Sequence, residues 1–201
     1  MAHAGNSSKK YCFVTIGATA AFDTLIRACL ESDFLDTLSA AGYSNLLLQY
    51  GKDGKSLFNE LVANKEKDGS PGIKIEGFGF SQYGLTEHMK LVKGSPLDGS
   101  NEGLVISHAG SGSILDALRL NVPLVVVPNP TLLDNHQLEL AEILEQQGYV
   151  IHGKLDNLVS AIHDAEELRQ RQRSWPPINS GQHRAAQGLQ GVMDEEMGFL
   201  D

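Results

Sequence analysis

The sequence predicts an α/β protein built on a doubly wound, mostly parallel sheet, and three observations carry that expectation. Short apolar runs closed by small residues recur along the chain, at residues 11–16, 46–50, 104–106 and 123–128. Helical patterns stand between them, with apolar residues three and four apart, the alternation expected of strand–helix–strand units. The run from Pro123 through Leu124, Val125, Val126 and Val127 to Pro128 is apolar throughout, as a strand covered on both faces must be. A chain of 201 residues suits one such domain, alone or with a tail.

Each element follows in order. Residues 1–10 are polar, include Lys9 and Lys10, and lead into no signal-peptide core. The first strand ends at Gly17, Ala18 and Thr19, and a helix from Ala21 to Leu30 buries Phe22, Leu25, Ile26 and Cys29. Phe34, Leu35 and Leu38 extend a helical pattern to Gly42. The strand at 46–50 stops at Gly51, residues 57–62 are helical, and 65–72 form a charged loop. Ile73 and Ile75 alternate with Lys74 and Glu76, which places a strand near an edge. Residues 77–81 are expected as a flexible turn carrying Phe78 and Phe80. Leu85, His88, Met89 and Val92 fit a short helix, and 93–103 read as a surface insertion.

After the strand at 104–106 comes a helix that buries Ile114, Leu115 and Leu118. Beyond the 123–128 strand, Asp134 and Asn135 are natural N-caps for a helix reaching Gln147. A last strand at 149–151 and a last helix at 155–168 complete the domain. From Arg173 the composition shifts to Trp175-Pro176-Pro177 and scattered glycines and glutamines. The expected division is therefore a polar segment at 1–10, a domain at 11–172, and a linker and tail at 173–201. The tail ends in a small amphipathic piece (Val192, Met193, Met197, Phe199, Leu200) that is either disordered or a docking segment.

Composition narrows the function. A hydrophobic fraction of 41% with 20% charged residues is that of a soluble globular protein. The net charge of -9 argues against a nucleic-acid binder. Cys12 and Cys29 lie in apolar patterns and read as reduced core residues. No apolar run approaches the roughly 20 residues of a spanning helix.

The stretch Ser107, His108, Ala109, Gly110, Ser111, Gly112, Ser113 follows a strand and opens a helix. Such a turn aims main-chain N–H groups and the positive end of the helix dipole outward, which suits a diphosphate. Gly110 and Gly112 permit close approach, and Ser111 and Ser113 can cap the helix or donate to phosphate. A capped turn with no ligand is the alternative reading. The dinucleotide fingerprint is incomplete, because Leu115 stands where its third glycine belongs. A phosphate-binding P-loop ending at Gly54-Lys55-Ser56 would need glycine at Gln49, and neither serine has the glycine spacing of a nucleophile elbow.

Taken together, Gly17-Ala18-Thr19, Phe22, Leu25-Ile26, Gln49-Tyr50-Gly51, residues 107–113, Pro123-Leu124 and Asp134-Asn135-His136-Gln137 resemble a family in their order. It is that of the catalytic subunit of the eukaryotic UDP-N-acetylglucosamine transferase of lipid-linked oligosaccharide synthesis. That family is similar to the C-terminal half of the bacterial MurG glycosyltransferase, and the resemblance covers about residues 11–170. It implies a Rossmann-like fold equivalent to the donor-binding domain of a GT-B glycosyltransferase. The implied reaction adds N-acetylglucosamine from UDP-N-acetylglucosamine to dolichyl-diphosphate-N-acetylglucosamine at the cytosolic face of the endoplasmic reticulum.

The implied roles follow by position. Gly17, Ala18, Thr19 and the 107–113 turn face the diphosphate, Asp116 accepts from both ribose hydroxyls, and Asp134, Asn135, His136 and Gln137 lie at the donor sugar. Phe80 and Ser81 contact uracil. His108, which differs from the bacterial pattern, is the catalytic candidate; it binds phosphate or hydrogen-bonds within the turn. The sequence shows no Asp-x-Asp pair, so no metal cofactor is expected. One Rossmann-like half leaves the acceptor site and base to a membrane-anchored partner subunit. A nucleotide-sugar-binding regulatory protein and a self-sufficient small enzyme are the alternatives, the latter lacking an evident acid/base pair.

Overall fold

The computed structural model describes residues 8–17, 20–68, 72–132 and 136–174. Its strands are β1 (Lys9–Thr15), β2 (Asn45–Gln49), β3 (Lys74–Phe78), β4 (Ser100–His108), β5 (Leu124–Val127) and β6 (Ile151–His152). The helices are α1 (Asp23–Cys29), α2 (Ser32–Ala40), α3 (Lys55–Asp68), α4 (Thr86–Lys93), α5 (Ser111–Arg119), α6 (His136–Gln146) and α7 (Leu158–Ser174). Among the described residues all strand pairs are parallel and lie in the order β3-β2-β1-β4-β5-β6. The doubly wound sheet expected from the sequence is therefore present, with β3 and β6 at its edges.

Strand alternation sorts the core into two layers. Cys12, Val14 and Ile16 pack on one face with Leu25 and Ile26 of α1, Leu35 and Leu38 of α2, Phe58 of α3, and Ile162 and Ala165 of α7. Phe13 points the other way, into a layer with Met89 of α4, Ile114 of α5, Leu144 of α6, and Val105 and Val126. Cys12 and Cys29 are free and buried, and burial pushes both thiols well above their ordinary pKa.

Several boundaries differ from expectation for identifiable reasons. Residues 100–103, assigned to a surface insertion, are the first part of β4; what remains is a short 3-10 turn at Pro96–Asp98. Glycine is required at position 103 because a Cβ there would sit 1.8 Å from the Tyr11 carbonyl oxygen. Gly77 and Phe78 belong to β3 rather than to a flexible turn, and the Phe58 ring occupies the space a side chain at 77 would take. The charged ends of α3 and α7 continue as helix because Lys, Glu, Gln and Arg are good helix formers. The last strand begins at Ile151, two residues late.

At the N-terminal ends of the strands, α7 is fastened by a partly buried ionic cluster. Glu166 accepts from Lys10 Nζ (2.9 Å), from the Tyr43 hydroxyl (2.7 Å) and from Arg169. Arg169, only 5% exposed, also donates to the Gly103 carbonyl at 2.5 Å and to Tyr43 at 3.1 Å. Lys10 lies 4.1 Å from the Tyr43 ring centroid, and Lys93 bridges Glu102 (2.7 Å) and the Asn121 carbonyl (2.8 Å). Burial opposes ionisation of Glu166, yet the bonds from Arg169, Lys10 and Tyr43 outweigh it and hold the carboxyl below its ordinary value of 4.5.

A depressed carboxylate contributes stability above its unfolded pKa and loses it as pH falls. Glu166→Gln is therefore expected to lower unfolding free energy at pH 7 by about 1–3 kcal/mol in denaturant titrations. The deficit should shrink as pH falls below 4.5, where the unfolded chain gains a proton on Glu166 that the native protein does not yet bind.

Candidate functional site

The strand order has one topological switch point, between β1 and β4. The chain leaving β1 enters α1 on one face, whereas the chain leaving β4 enters α5 on the other. Ligands of doubly wound sheets bind where the two connections diverge, outside the C-terminal ends of these strands. Gly17 and residues 108–110 border that point.

The β1 side of the crevice is polar and rigid. Thr15 and Gln49 are buried and hydrogen-bonded through Thr15 Oγ1 and Gln49 Oε1, and Gly17 N donates to Thr15 Oγ1 at 3.3 Å. Gly17 has φ +83°, a conformation that disfavours side chains. Ala18 and Thr19, expected at the diphosphate, lie outside the described residues.

On the β4 side, His108 fits between two glycines. A Cβ on Gly17 would lie 2.5 Å from His108 Nε2, and one on Gly110 would lie 2.2 Å from the same atom. The imidazole thus occupies the room both residues leave, so the absence of a side chain at Gly110 serves His108 and not only close ligand approach. Burial pushes the His108 pKa down, with the Thr15 backbone working the other way, and Nδ1 is buried without a hydrogen-bond partner. The ring is neutral at pH 7. Ser107 is fully buried and donates to the His108 carbonyl at 2.7 Å, and Ala109 packs in the core. Those two side chains face the interior, so any contact they make to a ligand must come from the main chain.

Helix α5 begins at Gly110 without a side-chain cap and without an acidic residue in its first turn. Of the two roles open to Ser111 and Ser113, capping or donating to phosphate, the first is not the one seen. The first intrahelical bond runs from Ile114 N to the Gly110 carbonyl, which leaves the preceding amides as the helix's unused donors. Gly112 is exposed, and nothing lies within 4 Å of where its Cβ would be. Asp116, in the second turn, has a side chain 34% exposed and lies 3.7 Å from Arg119.

The remaining expected residues fall on two further loops. Phe80 is 59% exposed and Ser81 partly buried, both in the β3–α4 connection. That connection is tied to the sheet centre by Phe78 stacked on His88 (4.3 Å) and by Phe13 beyond it. Asp134 and Asn135 lie outside the described residues. His136 is exposed, 3.9 Å from Glu139, while Gln137 Oε1 accepts from Asn129 N at 3.1 Å. Asn129 was not foreseen, although a lone polar residue between Pro128 and Pro130 directly after a buried strand is a usable signal. A polar groove of about 670 Å³, lined by residues such as Glu142, His152 and Asp164, lies near the β6 edge and includes none of these loops.

Together, a doubly wound sheet and an uncapped helix start at its switch point define a Rossmann-like domain. The glycosyltransferase family 28 C-terminal domain matches residues 11–186, and the chain belongs to that family. It is 39% identical over 160 residues to the UDP-N-acetylglucosamine transferase subunit ALG13 of Saccharomyces cerevisiae, covering 73% of this chain and 78% of that one. The Cryptococcus neoformans protein of the same name is 35% identical, with 81% and 84% covered. A solution structure of ALG13 superposes with a TM-score of 0.60 at 29% identity over 96% of both chains. Acinetobacter baumannii MurG shares the fold, with a TM-score of 0.54 at 19% identity, and this chain spans 48% of it.

The wedge of His108 between two glycines is testable by unfolding. Gly110→Ala is expected to cost about 1–3 kcal/mol by forcing the ring aside. Adding His108→Ala should recover most of that loss, so the double-mutant cycle is strongly non-additive.

Proposed function

We propose that this chain is the donor-binding subunit of a two-chain N-acetylglucosaminyltransferase that acts in lipid-linked oligosaccharide synthesis. The observation that carries the reading is the uncapped α5 N-terminus at the switch point, free of acidic residues and fronted by exposed Gly112. The ALG13 relatives are named as UDP-N-acetylglucosamine transferase subunits, which supports both the donor and the need for a second chain.

On this reading the diphosphate of UDP-N-acetylglucosamine lies against the first-turn amides of α5 and the Gly17 loop. Asp116 accepts from the ribose hydroxyls, Phe80 and Ser81 border the uracil, and His136 and Gln137 border the sugar. An acceptor hydroxyl attacks the anomeric carbon with inversion as the bond to the β-phosphate oxygen breaks. The electron pair passes to the departing diphosphate, whose charge the fixed N–H dipoles stabilise. Neutral His108 shapes the floor of the site beside that charge. The reading assigns leaving-group stabilisation to main-chain amides and requires no metal cofactor.

The base and the dolichyl-linked acceptor site belong to a membrane-anchored partner, which holds the assembly at the cytosolic face of the endoplasmic reticulum. No helix among the described residues is long and apolar enough to cross a membrane.

Isothermal titration with UDP-N-acetylglucosamine tests the donor site. Gly112→Asp points a carboxylate from open space at the diphosphate and should weaken binding at least tenfold, while the melting temperature holds or rises. Asp116→Ala should weaken UDP-sugar binding more than pyrophosphate binding; equal losses rule out the ribose role. Transfer to the lipid acceptor should require the membrane fraction that supplies the partner, and turnover by the purified chain alone counts against a split enzyme.

A further inference from the structure

We propose that Asn129 is the positioning residue of the donor crevice: it ties the β1–α1 loop to the β5–α6 loop and sets the orientation of Gln137. This inference rests on the donor-binding reading above. Asn129 is 5% exposed and uses both ends of its side-chain amide. Its Nδ2 donates to the Ala21 carbonyl at 3.1 Å, a bond across 108 residues of chain. Its Oδ1 accepts from Thr131 N (3.1 Å) and from Thr131 Oγ1 (2.8 Å). Because Thr131 N can only donate and the Ala21 carbonyl can only accept, the amide has one permitted orientation.

The main chain of Asn129 is engaged as well. Its N–H donates to Gln137 Oε1 at 3.1 Å, and its carbonyl accepts from Leu132 N at 3.3 Å. Flanking Pro128 and Pro130 have fixed φ, so the residue is held on a stiff stretch. Gln137 sits in the first turn of α6, and with Oε1 committed to Asn129 its remaining polar atom is Nε2. That atom can only donate, which suits an acceptor such as a sugar hydroxyl or a phosphate oxygen.

A residue serving stability alone needs no bond to Ala21 and no hold on Gln137. Asn129 has both: its side chain reaches the β1–α1 connection and its main chain reaches the first turn of α6. The consequence is that the Gly17 side and the α6 side of the donor site move together, and donor binding does not have to order them separately.

The test separates this link from the functional reading. Asn129→Asp keeps the acceptor for Thr131 but sets an oxygen against the Ala21 carbonyl, severing the cross-loop bond. Thr131→Val removes one bond within the β5–α6 loop and leaves the link intact. In the ligand-free chain, amide hydrogen exchange at residues 20–22 and 136–138 should quicken in Asn129→Asp and not in Thr131→Val. In the complex with the partner subunit, Asn129→Asp should raise the donor KM about tenfold, the size of one buried hydrogen bond, with the acceptor KM unchanged.

Asn129→Ala, which removes the side chain's bonds to Ala21 and Thr131 without the repulsion and keeps the main-chain N–H to Gln137, should behave likewise. Unchanged local exchange in both Asn129 variants, or exchange that rises evenly across the sheet, overturns the proposal. So does a donor KM that stays at the native value. Failure of the unsubstituted chain to bind UDP-N-acetylglucosamine overturns the donor-binding reading instead, and the exchange arm still decides whether the link exists.

Discussion

Strand β1 is hydrogen-bonded on both sides, to β2 and to β4, and every other arrangement in the molecule follows from that position. Its residues alternate between two apolar layers, Phe13 to one and Cys12 and Val14 to the other, so helices must cover both faces. Because the connections after β1 and β4 leave toward opposite faces, nothing crosses the gap between them. The crevice is thus a by-product of winding a parallel sheet in two directions from one central strand. Removing the pairing of β1 with β4 would remove core and site together.

What occupies that gap explains the glycines around it. His108 fills the space that side chains on Gly17 and Gly110 would need, and its ring is kept uncharged by burial. An uncharged ring beside an uncapped helix start leaves the positive dipole of α5 as the dominant local field. Such a surface discriminates by charge and close approach rather than by a large set of side-chain contacts. The buried Thr15–Gln49 pair stiffens the neighbouring strand ends without adding charge.

The parts of the fold legible in the sequence were those whose signal is local. Val125, Val126 and Val127 announce a buried strand, and the strand–glycine–helix turn at 107–113 announces α5. Ser100 to Gly103 did not read as strand because their pairing depends on Lys9 and Lys10, far away in sequence, and on a glycine tolerated by Tyr11. Which of their two roles Ser111 and Ser113 take was open for a similar reason: both have capping chemistry, but the N-cap position falls on Gly110. His108 against Gly17, and Asn129 against Ala21, are relations between distant segments that no spacing rule encodes. The family resemblance names the turn, Asp116 and the α6 start as a group, because it compares the whole ordered set at once.

The ionic cluster around Glu166 and Arg169 decides where α7 is held against the sheet. It fastens the second half of α7 beside Lys10 and Gly103, at the pole where the strands begin. Helix α7 therefore ends on the side opposite the crevice between β1 and β4, a strand length or roughly 20 Å away. A fluorophore placed on exposed Gln170, in the last turns of α7, sits at that far pole and clear of the crevice.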